Sequence, residues 1–153
     1  MSENVEPLML DGDSPELARV EAQMAMLATN IRASARSTAA VIDPTLEPFG
    51  LALLRVLDRR GETHAGFVAD VLAVDRSMIS RQTKLLCALG LVTTRVDPSD
   101  GRARFLALTA LAEEKLAAVR RNRTAHVHRR LSRWTAAELD QFAALLERLN
   151  EPD

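Results

Sequence analysis

The sequence predicts a mainly α fold interrupted by one two-stranded β hairpin, and three observations carry that expectation. Apolar residues recur at helical spacing through most of the chain, the period drops to two across residues 92–108, and aromatic residues are only 3% of the 153. A core so poor in aromatics is built from leucine, alanine, valine and isoleucine, which suits packed helices. With 47% apolar and 27% charged residues the chain has an ordinary globular composition. Charges interrupt every apolar run well short of a bilayer's width, and the N-terminal residues are acidic instead of basic and apolar, so a cytoplasmic protein is expected. The single cysteine, Cys87, cannot form an internal disulfide, which agrees with a reducing compartment.

Each element follows from local signals. Ser14-Pro15 places a capping hydroxyl before a proline at the first helical position, and Leu17, Val20, Met24, Leu27, Ile31, Ser34, Thr38 and Val41 then form one seam that ends before Asp43-Pro44. A second helix is expected from Leu46 to Arg60, with Phe49, Leu53, Val56 and Leu57 inward and Gly61 just past its end. A short helix follows Thr63 and reaches Leu72. Asp75 is placed to cap a helix from Arg76 to Leu89 that Gly90 closes. Alternation at Val92, Thr94 and Val96, the turn residues Pro98, Ser99, Asp100 and Gly101, and renewed alternation at Leu106 and Leu108 make the hairpin. Thr109 can cap a long helix that runs past Val127. Thr135-Ala-Ala-Glu138 is a capping box, with Trp134 and Leu139 as its hydrophobic staple, and it opens a last helix with the seam Leu139, Phe142, Leu146 and Leu149.

Helix, short turn, helix and hairpin in this order make a winged helix-turn-helix with a two-stranded β wing, flanked by N- and C-terminal helices. The linker Ala73-Val74-Asp75 has the right length, although it carries alanine where glycine is common. The net charge of −1 hides a segregation that bears on the partner. Residues 76–96 hold Arg76, Arg81, Lys84 and Arg95 and no acid, whereas residues 1–16 hold Glu3, Glu6, Asp11, Asp13 and Glu16 and no base.

On the 76–89 helix, Ile79, Leu85, Leu86 and Leu89 are expected inward, and Ser77, Ser80, Arg81, Lys84 and Ala88 fall on the opposite side. Short hydroxyls let a backbone approach base edges and phosphates, and Arg76 or Arg81 can reach guanine acceptors in a major groove. An arginine-rich solvated face is the plainer reading of that helix alone. The hairpin tip from Asp97 to Arg104 is too polar to pack on the body, and a guanidinium there can enter a narrow minor groove. Asp100 reads as a turn-former able to hold an arginine in place.

Residues 71–109, VLAVDRSMISRQTKLLCALGLVTTRVDPSDGRARFLALT, resemble the DNA-binding core of the MarR (multiple antibiotic resistance regulator) family of transcriptional regulators. The resemblance rests on Asp75, Arg76, Ser77, Ile79, Ser80 and Arg81, on Leu89–Val92, on Asp97, Pro98 and Asp100 of the wing, and on Leu108-Thr109. It implies a homodimer whose terminal helices interlock, recognition helices that read a palindrome, and a small phenolic or lipophilic effector. Arg102 falls on the family's wing-tip arginine, and Gly101 replaces the basic residue often found before it.

The resulting expectation is a sequence-specific DNA-binding regulator, in the first instance a repressor, acting as a homodimer on a pseudo-palindromic operator. Recognition is assigned to Arg76, Ser77, Ser80, Arg81 and Lys84, the wing contact to Arg95, Asp100, Arg102 and Arg104, and dimerisation to Leu17, Val20, Leu27, Leu139, Phe142, Leu146 and Leu149. The expected division is an acidic tail at 1–13, a helical dimerisation region at 14–44 plus 110–150, and a winged helix-turn-helix at 45–109. The alternative is a winged-helix interaction module that docks an acidic protein.

An enzyme is not expected, because no Ser/His/Asp group, phosphate loop or carboxylate pair stands out. His126 and His128 are two apart on a helix and His64 is alone, so no metal site or cofactor is expected. Cys87 reads as a small core residue. Seven bases and no acid between Lys115 and Ala137 read as a solvated face, with docking of the acidic N-terminal segment as the sharper possibility.

Overall fold

The computed structural model describes residues 14–101 and 103–151. The acidic run at 1–13, its expected docking and Arg102 lie outside the described residues. Three helices begin where a side-chain oxygen receives a backbone N–H that the helix itself leaves unpaired. Helix α1 (Pro15–Ile42) opens on Ser14, whose Oγ accepts from the Leu17 N–H and also donates to Glu16, holding that carboxyl below its ordinary range. Helix α2 (Pro48–Arg60) starts two residues later than expected. Pro48 is preset for a first helical position, while Leu46 is buried in the preceding turn, where the Asp43 carboxylate accepts from the Thr45 N–H and hydroxyl.

Two residues, Thr63–His64, form strand β1. Helix α3 (Ala65–Leu72) and helix α4 (Arg76–Ala88) follow, joined by Ala73, Val74 and Asp75. Ala73 takes the left-handed conformation, φ 52° and ψ 48°, and the Val74 N–H closes the turn on the Ala69 carbonyl at 3.0 Å. Asp75 occupies the cap position of α4, but its side chain makes no capping bond, contrary to expectation. The exposed carboxylate stays with solvent, and it is the Asp75 carbonyl that accepts from the Met78 and Ile79 N–H groups.

Strands β2 (Val92–Val96) and β3 (Arg104–Leu108) are the expected hairpin, with Val92 opposite Leu108 and Val96 opposite Arg104. The sheet has a third member: β1 pairs antiparallel with β3, giving the order β1-β3-β2. Two residues are too few to show a period of two, so this strand left no trace in the sequence. Helix α5 (Ala110–Leu131) is capped by Thr109, whose hydroxyl accepts from the Ala112 N–H and donates to the Gly90 carbonyl at 2.7 Å. Helix α6 (Ala136–Leu149) has the expected capping box: the Thr135 Oγ1 accepts from the Glu138 N–H, and the Glu138 carboxylate accepts from the Thr135 N–H at 2.7 Å. The Trp134 ring meets Phe142 edge-on at 5.4 Å, a turn beyond the Leu139 named as its staple partner.

The chain divides into two compact units at a boundary within α2, after Leu51. In the first, α1 buries only Ala39 and Ile42, whereas Val20, Met24, Leu27 and Ile31 are 46 to 59% exposed and Leu17 is half-buried. In the second, Leu53, Leu54 and Leu57 of α2, Val68 of α3, Ile79 and Leu86 of α4, and Leu91 and Leu106 are all 1% exposed or less. Helix α6 buries none of its residues, and Leu139, Phe142, Leu145, Leu146 and Leu149 are 36 to 58% exposed. Among the described residues, no helix is long and apolar enough to cross a membrane.

Candidate nucleic-acid interface

Helix α4 separates its two faces by burial. Ile79, Thr83 and Leu86 point inward at i, i+4 and i+7, and Arg76, Ser77, Ser80, Arg81 and Lys84 are all exposed. The inward stripe is therefore centred on Thr83, which corrects two expectations. Leu85 is 60% exposed and Leu89 is half-buried. Cys87 is exposed as well, and its partial desolvation pushes the thiol above its ordinary value. Thr83 takes the core position because its methyl and β-branch pack like valine. Its Oγ1 is buried without a hydrogen-bond partner among the described residues.

A cleft of about 1020 Å³ runs between α3, α4 and the wing. It brings together Arg76, Ser80 and Lys84 of the predicted set with Arg104 of β3; Ser77 and Arg81 do not line it. The Arg76 guanidinium lies over the first turn of α3, where a Cβ on Gly66 would meet it at 3.6 Å, an ordinary van der Waals contact. Arg104 stands opposite Val96 on the hairpin face that also carries Leu106.

Arg95 is on the other face, opposite Phe105, and its guanidinium sits 4.5 Å from the centre of that ring and 2.6 Å from the Glu62 carboxylate. The hydrogen bond to Glu62 is the main cause that raises the Arg95 value above its ordinary one. At the tip, Asp97 is also a turn-former. Its carboxylate accepts from the Ser99 N–H at 2.8 Å and hydroxyl at 2.6 Å, and these bonds, more than the nearby His64, hold it below the usual carboxylate range. Asp100 contributes its carbonyl, which accepts from the Ala103 N–H. Glu62 and His64 are residues beside the site that local patterns could not single out, since their partners Arg95 and Asp97 lie 33 positions along the chain.

The basic stretch on α5 is partly balanced: Arg120 pairs with Asp58 of α2. Arg55 is lowered from its ordinary value first by burial and then by Arg123 and Arg59, so three guanidiniums crowd one patch. Among the described residues, no group of three or more histidine, cysteine or acidic side chains could hold a metal ion.

The profile that describes the MarR family matches residues 51–103, the stretch that holds α3, α4 and most of the wing. The uncharacterized HTH-type transcriptional regulator YxaD of Bacillus subtilis (strain 168) is 34% identical over 106 residues, 69% of this chain and 74% of that protein. The chain belongs to the MarR family. It is therefore a transcriptional regulator of a family whose members are not enzymes. A MarR family transcription regulator of known structure superposes with a TM-score of 0.77 at 21% identity, covering 88% of this chain and 87% of the other. The apo form of MarR from E. coli gives 0.70 at 17% identity, over 86% and 96%. Those structures share the winged helix-turn-helix fold of this MarR family member, with α4 in the place of the second helix of the motif.

Proposed function

We propose that this MarR family protein is a sequence-specific repressor that binds a pseudo-palindromic operator as a homodimer. One observation carries the reading: Arg76, Ser77, Ser80, Arg81 and Lys84 are exposed along one helix whose opposite stripe is buried, beside a hairpin that presents Arg104. Helix α4 would lie in the major groove, with Ser77 and Ser80 allowing close approach and Arg81 reading a base edge. The wing, including Arg102, would meet the adjacent minor groove.

Apolar exposure along α1 and α6 supports the dimer, since those seams stay exposed among the described residues. On this reading residues 14–44 and 110–150 form the dimerisation region and 45–109 the DNA-binding region. The two recognition helices would sit about one DNA turn, ~34 Å, apart. A small aromatic or lipophilic effector would release DNA by favouring another spacing of these helices. The protein would work in the cytoplasm, with the DNA.

A salt titration of binding to genomic fragments selected by the protein tests the reading. Affinity should fall steeply, with a log–log slope of about −0.9 for each phosphate contacted. Arg81→Ala should weaken binding by ~1–3 kcal/mol and blur preference at one or two base pairs. Absence of duplex binding at low salt would overturn it in favour of a basic face that docks an acidic protein.

A further inference from the structure

The wing is fastened from outside the hairpin. His64 pairs with Phe105 across β1 and β3, and Phe105 pairs with Arg95 across β3 and β2, so the three side chains make one row on one face of the sheet. The His64 and Phe105 ring centres are 3.9 Å apart, and the Arg95 guanidinium covers the same phenyl ring at 4.5 Å. Glu62, immediately before β1, then reaches past the central strand to Arg95 at 2.6 Å. His64 Nε2 lies 3.5 Å from Asp97, which is only 9% exposed and organises the tip by accepting from Ser99. One end of this bracket lies in the two-residue strand β1 and the other directly before it, and they grip the turn after β2 and β2 itself.

We propose that Glu62 and His64 are positioning residues of the wing, and that Arg95 serves this bracket instead of touching DNA. The inference rests on the DNA-binding reading above for its functional consequence, but the bracket itself does not. A two-stranded ribbon is weakly stable on its own, and its tip must be held at a fixed angle to the recognition helix for both to engage one duplex. A partly exposed ion pair contributes little by itself. Here it is joined to a cation–π contact and a tilted ring contact on the same phenyl group, so the three contacts order each other's side chains. Arg95 also lies on the hairpin face opposite Arg104, the arginine that shares the cleft with Arg76, Ser80 and Lys84.

The test uses the full chain with Glu62→Gln, Arg95→Gln and the double variant, each confirmed helical by circular dichroism. Amide hydrogen exchange is followed in β2 and β3, and binding to a mixed-sequence duplex is titrated with salt. The bracket predicts faster wing exchange in each single variant, duplex binding roughly two- to fivefold weaker with an unchanged salt slope, and a double variant no worse than either single one. A slope reduced by about 0.9 in Arg95→Gln alone would place that guanidinium on a phosphate and overturn the proposal. Unchanged exchange in the single variants would overturn it equally. If the parent binds no duplex, the DNA-binding reading fails, and the exchange measurement still decides the bracket by the same two outcomes.

Discussion

In α4, Ile79 and Leu86 are 1% exposed or less although Asp75 makes no side-chain cap, whereas in α6 Leu139, Phe142 and Leu146 keep a third or more of their surface behind a complete capping box. Local hydrogen bonding and core burial are thus independent in this chain. A cap fixes where a helix begins, and it contributes about 1 kcal/mol. Burying one leucine contributes more, ~1.5–3 kcal/mol. Helix α4 is held by the body of its own unit, and α6 has its start specified but its apolar side uncovered. On the proposed reading a second copy supplies that cover.

Breaking the comparison from the α6 side should have the largest effect. Phe142→Asp should halve the molecular mass in sedimentation while leaving the winged region folded. A mass equal to the parent's would show that this face is not the dimer contact. From the other side, Leu86→Ala should cost about 2–5 kcal/mol in denaturant unfolding, with no change in assembly at matched stability. Thr135→Ala should cost ~1 kcal/mol and act through α6 alone. Ala73→Gly sharpens the picture at the turn before α4, where relief of a left-handed alanine should raise stability by up to about 1 kcal/mol in a thermal melt.

The smallest effect is the acid response of the two specified turns. The Glu138 and Asp97 carboxyls lie below their ordinary values in the fold, the first chiefly through the Thr135 N–H and the second chiefly through the Ser99 hydroxyl. Each therefore contributes stability that is fully present above the ordinary carboxylate value near ~4 and is lost as the pH falls through the lowered one. Melting temperature should hold between neutral pH and about 5 and decline below about 4, and Glu138→Gln, which removes the titrating carboxyl, should make the decline shallower. A decline identical to the parent's would remove Glu138 from this account.

What could be read from the sequence was what local chemistry decides. Ser14, Thr109 and Thr135 each cap the helix expected of them, and the change of period at Val92 located the hairpin. Non-local pairing was not legible: β1 has two residues, and its partners are some forty positions away on β3. The Glu62–Arg95 pair spans 33 positions, so Arg95 was grouped with the other cations by its place in a basic stretch. The stripe expected on α4 leaves out Thr83 and includes Leu85, and Cys87 is expected in the core. In the fold, Thr83 is the buried residue and those two are exposed. Arg102, the wing-tip arginine implied by the resemblance, and the acidic run before Ser14 lie outside the described residues.

The bonds at Thr109 have a mechanical meaning. Its N–H donates to the Leu91 carbonyl at 3.1 Å and its hydroxyl to the Gly90 carbonyl at 2.7 Å, directly after α4 ends. The cap residue of α5 is thereby tied to the two residues that follow the C-cap of α4. On the proposed reading, a displacement of the long α5 shaft would be passed through these two bonds to the chain that directly follows α4.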